Sequence, residues 1–316
     1  MTTAIATPLP ATRAEWLAQR RTGIGGSDVA SILGLSPWRT PYDVYLDKIG
    51  EAPKELTSQA AHFGTKLEAT IADEFSERTG IKCTMQESMY RNPAAHWEIA
   101  NIDRYAGQGA ILECKTARLS DGWGPSQEEE IKAGEVVSDH EIPLYYETQI
   151  QWYMGLLGVP VCYVAVLIGG QDFRIYKVDR DPDVFDMIRE KVRAFWLEHV
   201  EKHVPPEPIS VADVRALYAK DSGAMREASN EEAALVGDLK TVREQIKELE
   251  AQEKAIASKI ILAIGADTGI TIAGKKAATY KAQTSRRFDS TAFKADDPET
   301  YAAYCKPSSF RVLRVA

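Results

Sequence analysis

Three charged residues stand where the sequence otherwise reads as the interior of a sheet. Residues 102–117 are IDRYAGQGAILECKTA: Ala110, Ile111 and Leu112 lead directly into Glu113, Cys114 and Lys115, and Asp103 lies ten residues before Glu113. Residues two apart in a strand share a face, so Glu113 and Lys115 point the same way and Cys114 the other. An unpaired carboxylate or ammonium is costly to bury, so a pair aimed at one spot needs a reason. An isolated Glu-x-Lys reads as an ordinary ion pair at a sheet edge. The alternative is a metal site in which Asp103 and Glu113 bind Mg²⁺ and Lys115 orients or polarises a nucleophilic water. Hard divalent ions take oxygen ligands and keep several waters, which suits two carboxylates and a backbone carbonyl.

The surrounding residues favour the metal. FGTKLEATIADEF puts Glu68 on a helix ahead of the hairpin, able to supply a further carboxylate. After the hairpin, YYETQIQWYMGLL holds Gln149 and Tyr153 at Gln-x-x-x-Tyr spacing on another helix. The histidines at 62, 96, 140, 199 and 203 show no ligand spacing and receive no catalytic role.

To position these groups the chain needs strands with helices against them. ATRAEWLAQR reads as a helix with Thr12 as N-cap and Glu15 three residues on. The glycine-rich TGIGGSD leads into a short helix, followed by TPYDVYLDKIG and the longer AAHFGTKLEATIADEFSERTG, closed by Gly80. TMQESMYR, HWEIANIDRY, GAILECKTA and VCYVAVLIGGQDFRIYKVDR have β-type content, and IPLYYETQIQWYMGLLGV and PDVFDMIREKVRAFWLEHVEKHV are helical by period. The acidic run at 128–130 reads as solvated loop. An α/β domain over 1–204, with a mixed central sheet flanked by helices, accounts for this order. Pro205, Pro206 and Pro208 then make a stiff connector into a second region, 205–316. There, residues 231–264 repeat apolar positions on 4-3 spacing, interrupted only by Glu253. This predicts a helical hairpin or coiled coil, partnered by residues 209–228 or by another subunit, and then a small β extension with a turn at AGK.

The chain has 316 residues, a net charge of −8 and four widely spaced cysteines, with no Cys-x-x-Cys pair. The cysteine spacing argues against a zinc ribbon or a disulfide scaffold and fits a reducing compartment. No apolar run approaches the ~20 residues that span a bilayer, and no signal peptide is evident. The acidic sum disfavours a generic polyanion binder, although local patches matter more than the total. No Walker-type phosphate loop is present, which argues against a nucleotide cofactor.

A carboxylate in a hairpin followed by a strand with Glu-x-Lys resembles the active-site pattern of the large PD-(D/E)XK nuclease superfamily, with Ile102 replacing the usual proline. RRTGIGGSDVASILGLSPWRTPYDVY, FGTKLE, NIDR, LECKTA and ETQIQWYMGLLG narrow the match. Over about two-thirds of its length the chain resembles the YqaJ-like viral recombinase family, relatives of the lambda-type phage alkaline exonuclease. The resemblance implies a restriction-endonuclease-like core and a phage or prophage protein of the host cytoplasm. It also implies an ATP-independent 5′→3′ exonuclease that digests linear duplex DNA for recombination by strand annealing and leaves 3′ overhangs. Asp103, Glu113 and the Cys114 carbonyl would ligate metal, Glu68 would help hold a second ion, and Lys115 would sit beside the attacking water. Two Mg²⁺ ions are implied, with Mn²⁺ able to substitute, and the positions of Cys83, Cys114, Cys162 and Cys305 do not offer the pattern of an iron–sulfur cluster. Arg20 or its neighbour Arg21, Ser27 and Gln149 match the family's pocket for the 5′-phosphate. Arginine forms bidentate bonds to phosphate, and the GIGGS backbone ahead of a helix can present N–H groups to an anion. Tyr153 and the loop residue Trp38 read as further DNA-contact candidates, whereas Tyr42 and Tyr45 read as core. A single-strand annealing protein and a homo-oligomer, as a trimeric ring, are the implied partners. Another nuclease of the superfamily and a DNA-end-binding scaffold are the alternatives.

Overall fold

The run GAILECKTA becomes the middle strand of a five-stranded mixed sheet. In the computed structural model, which describes residues 4–10, 12–52, 58–107, 109–135, 140–305 and 311–315, the chain opens with β1 (Ile5–Pro8), α1 (Arg13–Arg21), α2 (Gly26–Ile32), α3 (Pro41–Lys48) and α4 (Gln59–Thr79). Five strands follow: β2 (Cys83–Met85), β3 (Ser88–Asn92), β4 (Ala95–Ala100), β5 (Arg104–Ala106) and β6 (Ala110–Ala117). Next come α5 (Glu128–Ala133), α6 (Leu144–Leu157), a hairpin of β7 (Val161–Ile168) and β8 (Asp172–Asp179), and α7 (Pro182–Phe195), which runs into a π-helical turn at Trp196–Val200. The remainder comprises α8 (Val211–Leu217), α9 (Asn230–Ile264), the β9 (Gly269–Ile272) and β10 (Lys275–Thr279) hairpin, α10 (Ser290–Asp296) and α11 (Pro298–Tyr304).

Local chemistry sets the helix starts. Thr12 and Glu15 close a capping box on α1, and Thr40 and Asp43 do the same on α3, where Pro41 holds the first helical position. The acidic run at 128–130, expected in a loop, instead opens α5. Glu128 there pairs with Arg78 at 3.1 Å and Lys132 at 2.6 Å, and carboxylates suit the positive end of a helix.

The main sheet has the order β2-β5-β6-β7-β8. All its pairings are antiparallel except β6 with β7, which the crossover through α5 and α6 makes parallel. Alternation along β6 divides the core. Ile111 joins Val164, Val166 and Tyr176 in a large cluster under α2, α3, α6 and α7, whereas Leu112 joins Ile175 and the α4 residues Ile71 and Phe75 on the opposite face. With both faces covered, β7 can be the near-continuous apolar run VCYVAVLI. A smaller antiparallel sheet, β1-β3-β4, lies beside this core, and its β4 receives the glycine-rich segment: the Ile24 N–H donates to the Trp97 carbonyl at 2.6 Å.

Two compact units divide after Leu217. The proline connector and α8 therefore stay with the first unit, beyond the expected edge at residue 204. Asp213 explains this, being buried while accepting from the Thr40 hydroxyl at 2.9 Å and the Ile209 and Ser210 amides. In the second unit α9 is one uninterrupted helix of 35 residues, started by a Ser229–Glu232 capping box. The hairpin arm expected from residues 209–228 does not form. Its only helix is α8, which belongs to the first unit. The small β extension is the β9–β10 hairpin, turning through Ala273 and Gly274, both at positive φ.

Candidate active site

Glu113 and Lys115 project from β6 toward α6, on the face that also carries Ile111. β5 ends at Ala106 in one direction and Arg104 in the other, and Arg104 pairs with Leu112; continuing that register sets Asp103 opposite Glu113. Beyond this point β6 loses its β5 neighbour, and the Asp103 carboxylate takes the N–H of Cys114 at 2.8 Å. The site thus occupies the place where a central strand outruns its partner.

A hydrogen-bonded chain links the charges to α6. Lys115 Nζ donates to Glu113 Oε1 at 2.6 Å and to Gln149 Oε1 at 3.1 Å. Gln149 Nε2 donates to the same Glu113 oxygen at 2.6 Å and to the Tyr153 hydroxyl at 3.2 Å. One turn before Gln149, the Tyr146 ring lies 4.7 Å from Lys115 Nζ, a cation–π contact. Glu113 is 3% exposed, and its second oxygen, Oε2, is buried without a hydrogen-bond partner among the described residues. Burial raises the Asp103 carboxyl well above the ordinary range, and repulsion from Glu113 adds to it. Burial also raises Glu113, against the pull of Lys115. For Lys115 burial acts downward, but Glu113 and Asp103 outweigh it and keep the ammonium protonated beyond the usual lysine range.

Glu68 projects from α4 and pairs with the buried Arg104 guanidinium at 2.6 Å; the same Arg104 nitrogen also donates to the Asp103 carbonyl. Among the described residues no group of three or more His, Cys, Asp or Glu side chains is placed to hold a metal ion. The reasons are local: Asp103 rests on Cys114 N–H and Glu68 on Arg104.

The glycine-rich segment adjoins this chain. Arg20 Nη2 donates to Ser27 Oγ at 2.6 Å and stacks over Trp16, whereas Arg21 turns to Asp47 at 3.5 Å. The structure therefore separates the two arginines, placing Arg20 with Ser27. Beneath them Asp28 is fully buried, bonded to Lys48 at 2.7 Å and Arg39 at 3.1 Å, with Arg20 at 3.8 Å. Burial works against its charge, but Lys48, Arg20 and Arg39 together hold its carboxyl well below the ordinary value. The motif's backbone is less open to an anion than the sequence suggests: Ile24 N–H is taken by Trp97 and Gly25 N–H by Asp28. Its glycines serve close approach instead. A Cβ on Gly26 would fall 2.6 Å from the Tyr153 ring and 3.0 Å from Gln149 Cγ. Trp38 is 66% exposed and meets the Tyr145 ring edge-on at 4.8 Å, with Tyr146 at 6.4 Å, so it stands at the rim of the same site.

Comparison with known proteins places the chain in a family. Residues 15–159 match the YqaJ-like viral recombinase domain. The uncharacterized protein YqaJ of Bacillus subtilis (strain 168) is 35% identical over 311 residues, which is 95% of this chain and 92% of that protein. The chain belongs to the YqaJ family. Among solved structures, an alkaline exonuclease (LHK-Exo) from Laribacter hongkongensis is similar at 21% identity and TM-score 0.46, covering 60% of this chain and 94% of that one. A phage-related exonuclease from Haemophilus somnus 129PT is similar at 14% identity and TM-score 0.43, covering 57% and 95%.

Sequence reading of this YqaJ-family chain missed Arg104, Tyr146, Asp28 and Lys48. The signal for Arg104 was available, since an arginine beside Asp103 in a strand needs a carboxylate, and Glu68 was already in view. Tyr146 sits one turn before Gln149, on the same helical face. Nothing in the local sequence pairs Asp28 with Lys48, which α2 and α3 bring together.

Proposed function

We propose that this protein is a metal-dependent 5′→3′ exonuclease on linear double-stranded DNA, acting without ATP and leaving 3′ single-stranded overhangs for recombination by annealing. The observation that carries the reading is Glu113. It is a buried carboxylate with one oxygen held by Lys115 and Gln149 and the other without a partner among the described residues, and continuing the β5–β6 register sets Asp103 opposite it. Buried charge of this sign calls for a cation, and oxygen donors suit a hard divalent ion. Asp103, Glu113 and the Cys114 carbonyl would hold Mg²⁺ or Mn²⁺. Glu68 joins a second ion only if it leaves Arg104. When bound, such ions neutralise phosphodiester charge and lower the pKa of water.

The chain's own groups set the rest. Lys115, hydrogen-bonded to Glu113, would orient the attacking water and balance charge at the phosphorus. Gln149 fixes both members of the Glu113–Lys115 pair. Arg20 and Ser27, adjoining Gln149 and Tyr153 through Gly26, would take the terminal 5′-phosphate and so set the start point at a DNA end. Trp38 at the rim would contact the duplex. Transfer of the 3′ strand to a single-strand annealing protein, and a trimeric ring for processivity, belong to the same reading, supported by membership of a viral recombinase family.

The test is strand polarity on a linear duplex labelled at one end or the other. Early release of a 5′-terminal label as mononucleotide, with a 3′-terminal label retained, supports the reading. Early loss of the 3′ label, or equal cutting of closed circular DNA, would instead make the protein a different nuclease of the superfamily.

A further inference from the structure

Among the described residues of the second unit, the face of α9 that repeats on 4-3 spacing has no partner. Leu235, Val242, Ile246, Leu249, Ile256 and Ile260 are all exposed, and Leu239 is half-buried. In heptad terms Leu239, Ile246, Glu253 and Ile260 take the a positions, and Leu235, Val242, Leu249 and Ile256 the d positions. The seam from residue 235 to 260 runs for about 38 Å at 1.5 Å per residue. Seven apolar side chains along one stripe are far more than an isolated solvated helix carries.

The charges flanking the stripe say what covers it. In a parallel pair of copies Glu253 would face Glu253 of the second copy inside a dry seam, two like charges in contact. An antiparallel pair removes that clash. The register that pairs residue numbers adding to 495 sets Leu235 on Ile260, Leu239 on Ile256, Ile246 on Leu249 and Glu253 on Val242, each occurring twice by symmetry. No a or d residue between 235 and 260 is left over. The flanking positions then match as well: in an antiparallel coil g faces g and e faces e. Asp238 meets Lys259 and Arg243 meets Glu250, again twice each, with Gln245 facing Gln252 and Val236 facing Ala257. Every charged pair is of opposite sign. The parallel arrangement offers one such pair, Asp238 with Arg243, and the glutamate clash.

We propose that α9 is a self-association helix, forming an antiparallel two-stranded coiled coil with α9 of a second copy of this chain. The contact is isologous, with the two-fold axis passing between residues 247 and 248 of both helices. Glu253 weakens the seam and fixes its direction, because only the antiparallel register keeps it from itself. The proposal is independent of the nuclease reading and of any ring closed by the first unit.

The experiment measures the mass of the full-length protein in solution by light scattering. An even number of chains is expected, and Ile246→Lys should halve the assembly, weakening association roughly 100-fold or more because two apolar layers are lost. Lys259→Asp alone should also weaken it, and Asp238→Lys combined with Lys259→Asp should restore it. Direction is read by disulfide formation in a Cys305→Ser background. Val242→Cys with Glu253→Cys should cross-link two chains, and Glu253→Cys alone should not. A wild-type monomer or trimer, an Ile246→Lys mass equal to wild type, or efficient cross-linking through Glu253→Cys alone would overturn the proposal.

Discussion

Arg20 and Arg21 are neighbours of the same type, and the sequence offers no means of choosing between them. The structure separates them by partner: Arg20 reaches Ser27 beside the Gln149–Tyr153 pair, and Arg21 reaches Asp47 on α3. If Arg20 holds the terminal phosphate, Arg20→Ala should reduce the preference for 5′-phosphorylated over 5′-hydroxyl ends by about tenfold or more, the scale of one lost charge-assisted bond. Arg21→Ala should leave that preference within about twofold, as expected for an exposed ion pair. The measurement is the ratio of initial rates on the two substrates. Preference lost with Arg21 and kept without Arg20 would exchange their roles.

At the scale of elements, the site depends on α2 lying against α6. Gly26 permits that approach. Gly26→Ala should push Tyr153 and Gln149 away from Glu113, destabilising the fold by about 1–3 kcal/mol and slowing digestion more than that loss of stability explains. Thermal melting and initial rates measured together check this; unchanged kinetics would mean that the helices adjust freely. Asp28 fixes the same helix to α3. Removing its charge leaves Lys48 buried without a counter-ion, so Asp28→Asn should cost about 3–5 kcal/mol at neutral pH. Because the folded carboxyl lies well below its unfolded value, this stabilisation is complete above about pH 4 and is lost as pH falls toward the folded value. The gap between wild type and Asp28→Asn in urea unfolding should therefore narrow from pH 7 to about pH 3; a gap that widened would contradict the assignment. These same elements show what the sequence could reveal. Pattern or composition was readable for α1, β6, β7, α7 and α9, and the N-cap for α1, because each carries its own signal. Asp103, Glu113, Lys115 and Gln149 were readable because strand alternation and helical spacing aim them. Asp28–Lys48 was not, since that pair exists only once α2 and α3 pack, and Glu68–Arg104 left as its signal only the need of Arg104 for a carboxylate. The hairpin arm over 209–228 failed for the same reason, when Asp213 found a buried partner in Thr40 of the first unit.

For the molecule as a whole, a net charge of −8 sets a limit on how the proposed exonuclease would hold DNA. Non-specific attraction to a polyanion is weak for such a chain, so retention must come from a local cationic pocket, from bound metal offsetting the carboxylates, or from association of several copies. Among the described residues no helix is long and apolar enough to cross a membrane. The central claim is that the carboxylates on β6 and beside β5 would hold a divalent ion and that Lys115 beside them would orient the attacking water at a DNA end. The most direct test is the initial rate of duplex loss on 5′-phosphorylated linear DNA, for wild type and Lys115→Ala, with Mg²⁺ or with EDTA. Wild type should digest the duplex with Mg²⁺ and stop in EDTA. Lys115→Ala should be slower by about 10²–10³-fold with Mg²⁺ while still binding the DNA end. Digestion that persists in EDTA, or a folded Lys115→Ala protein as fast as wild type, would contradict it.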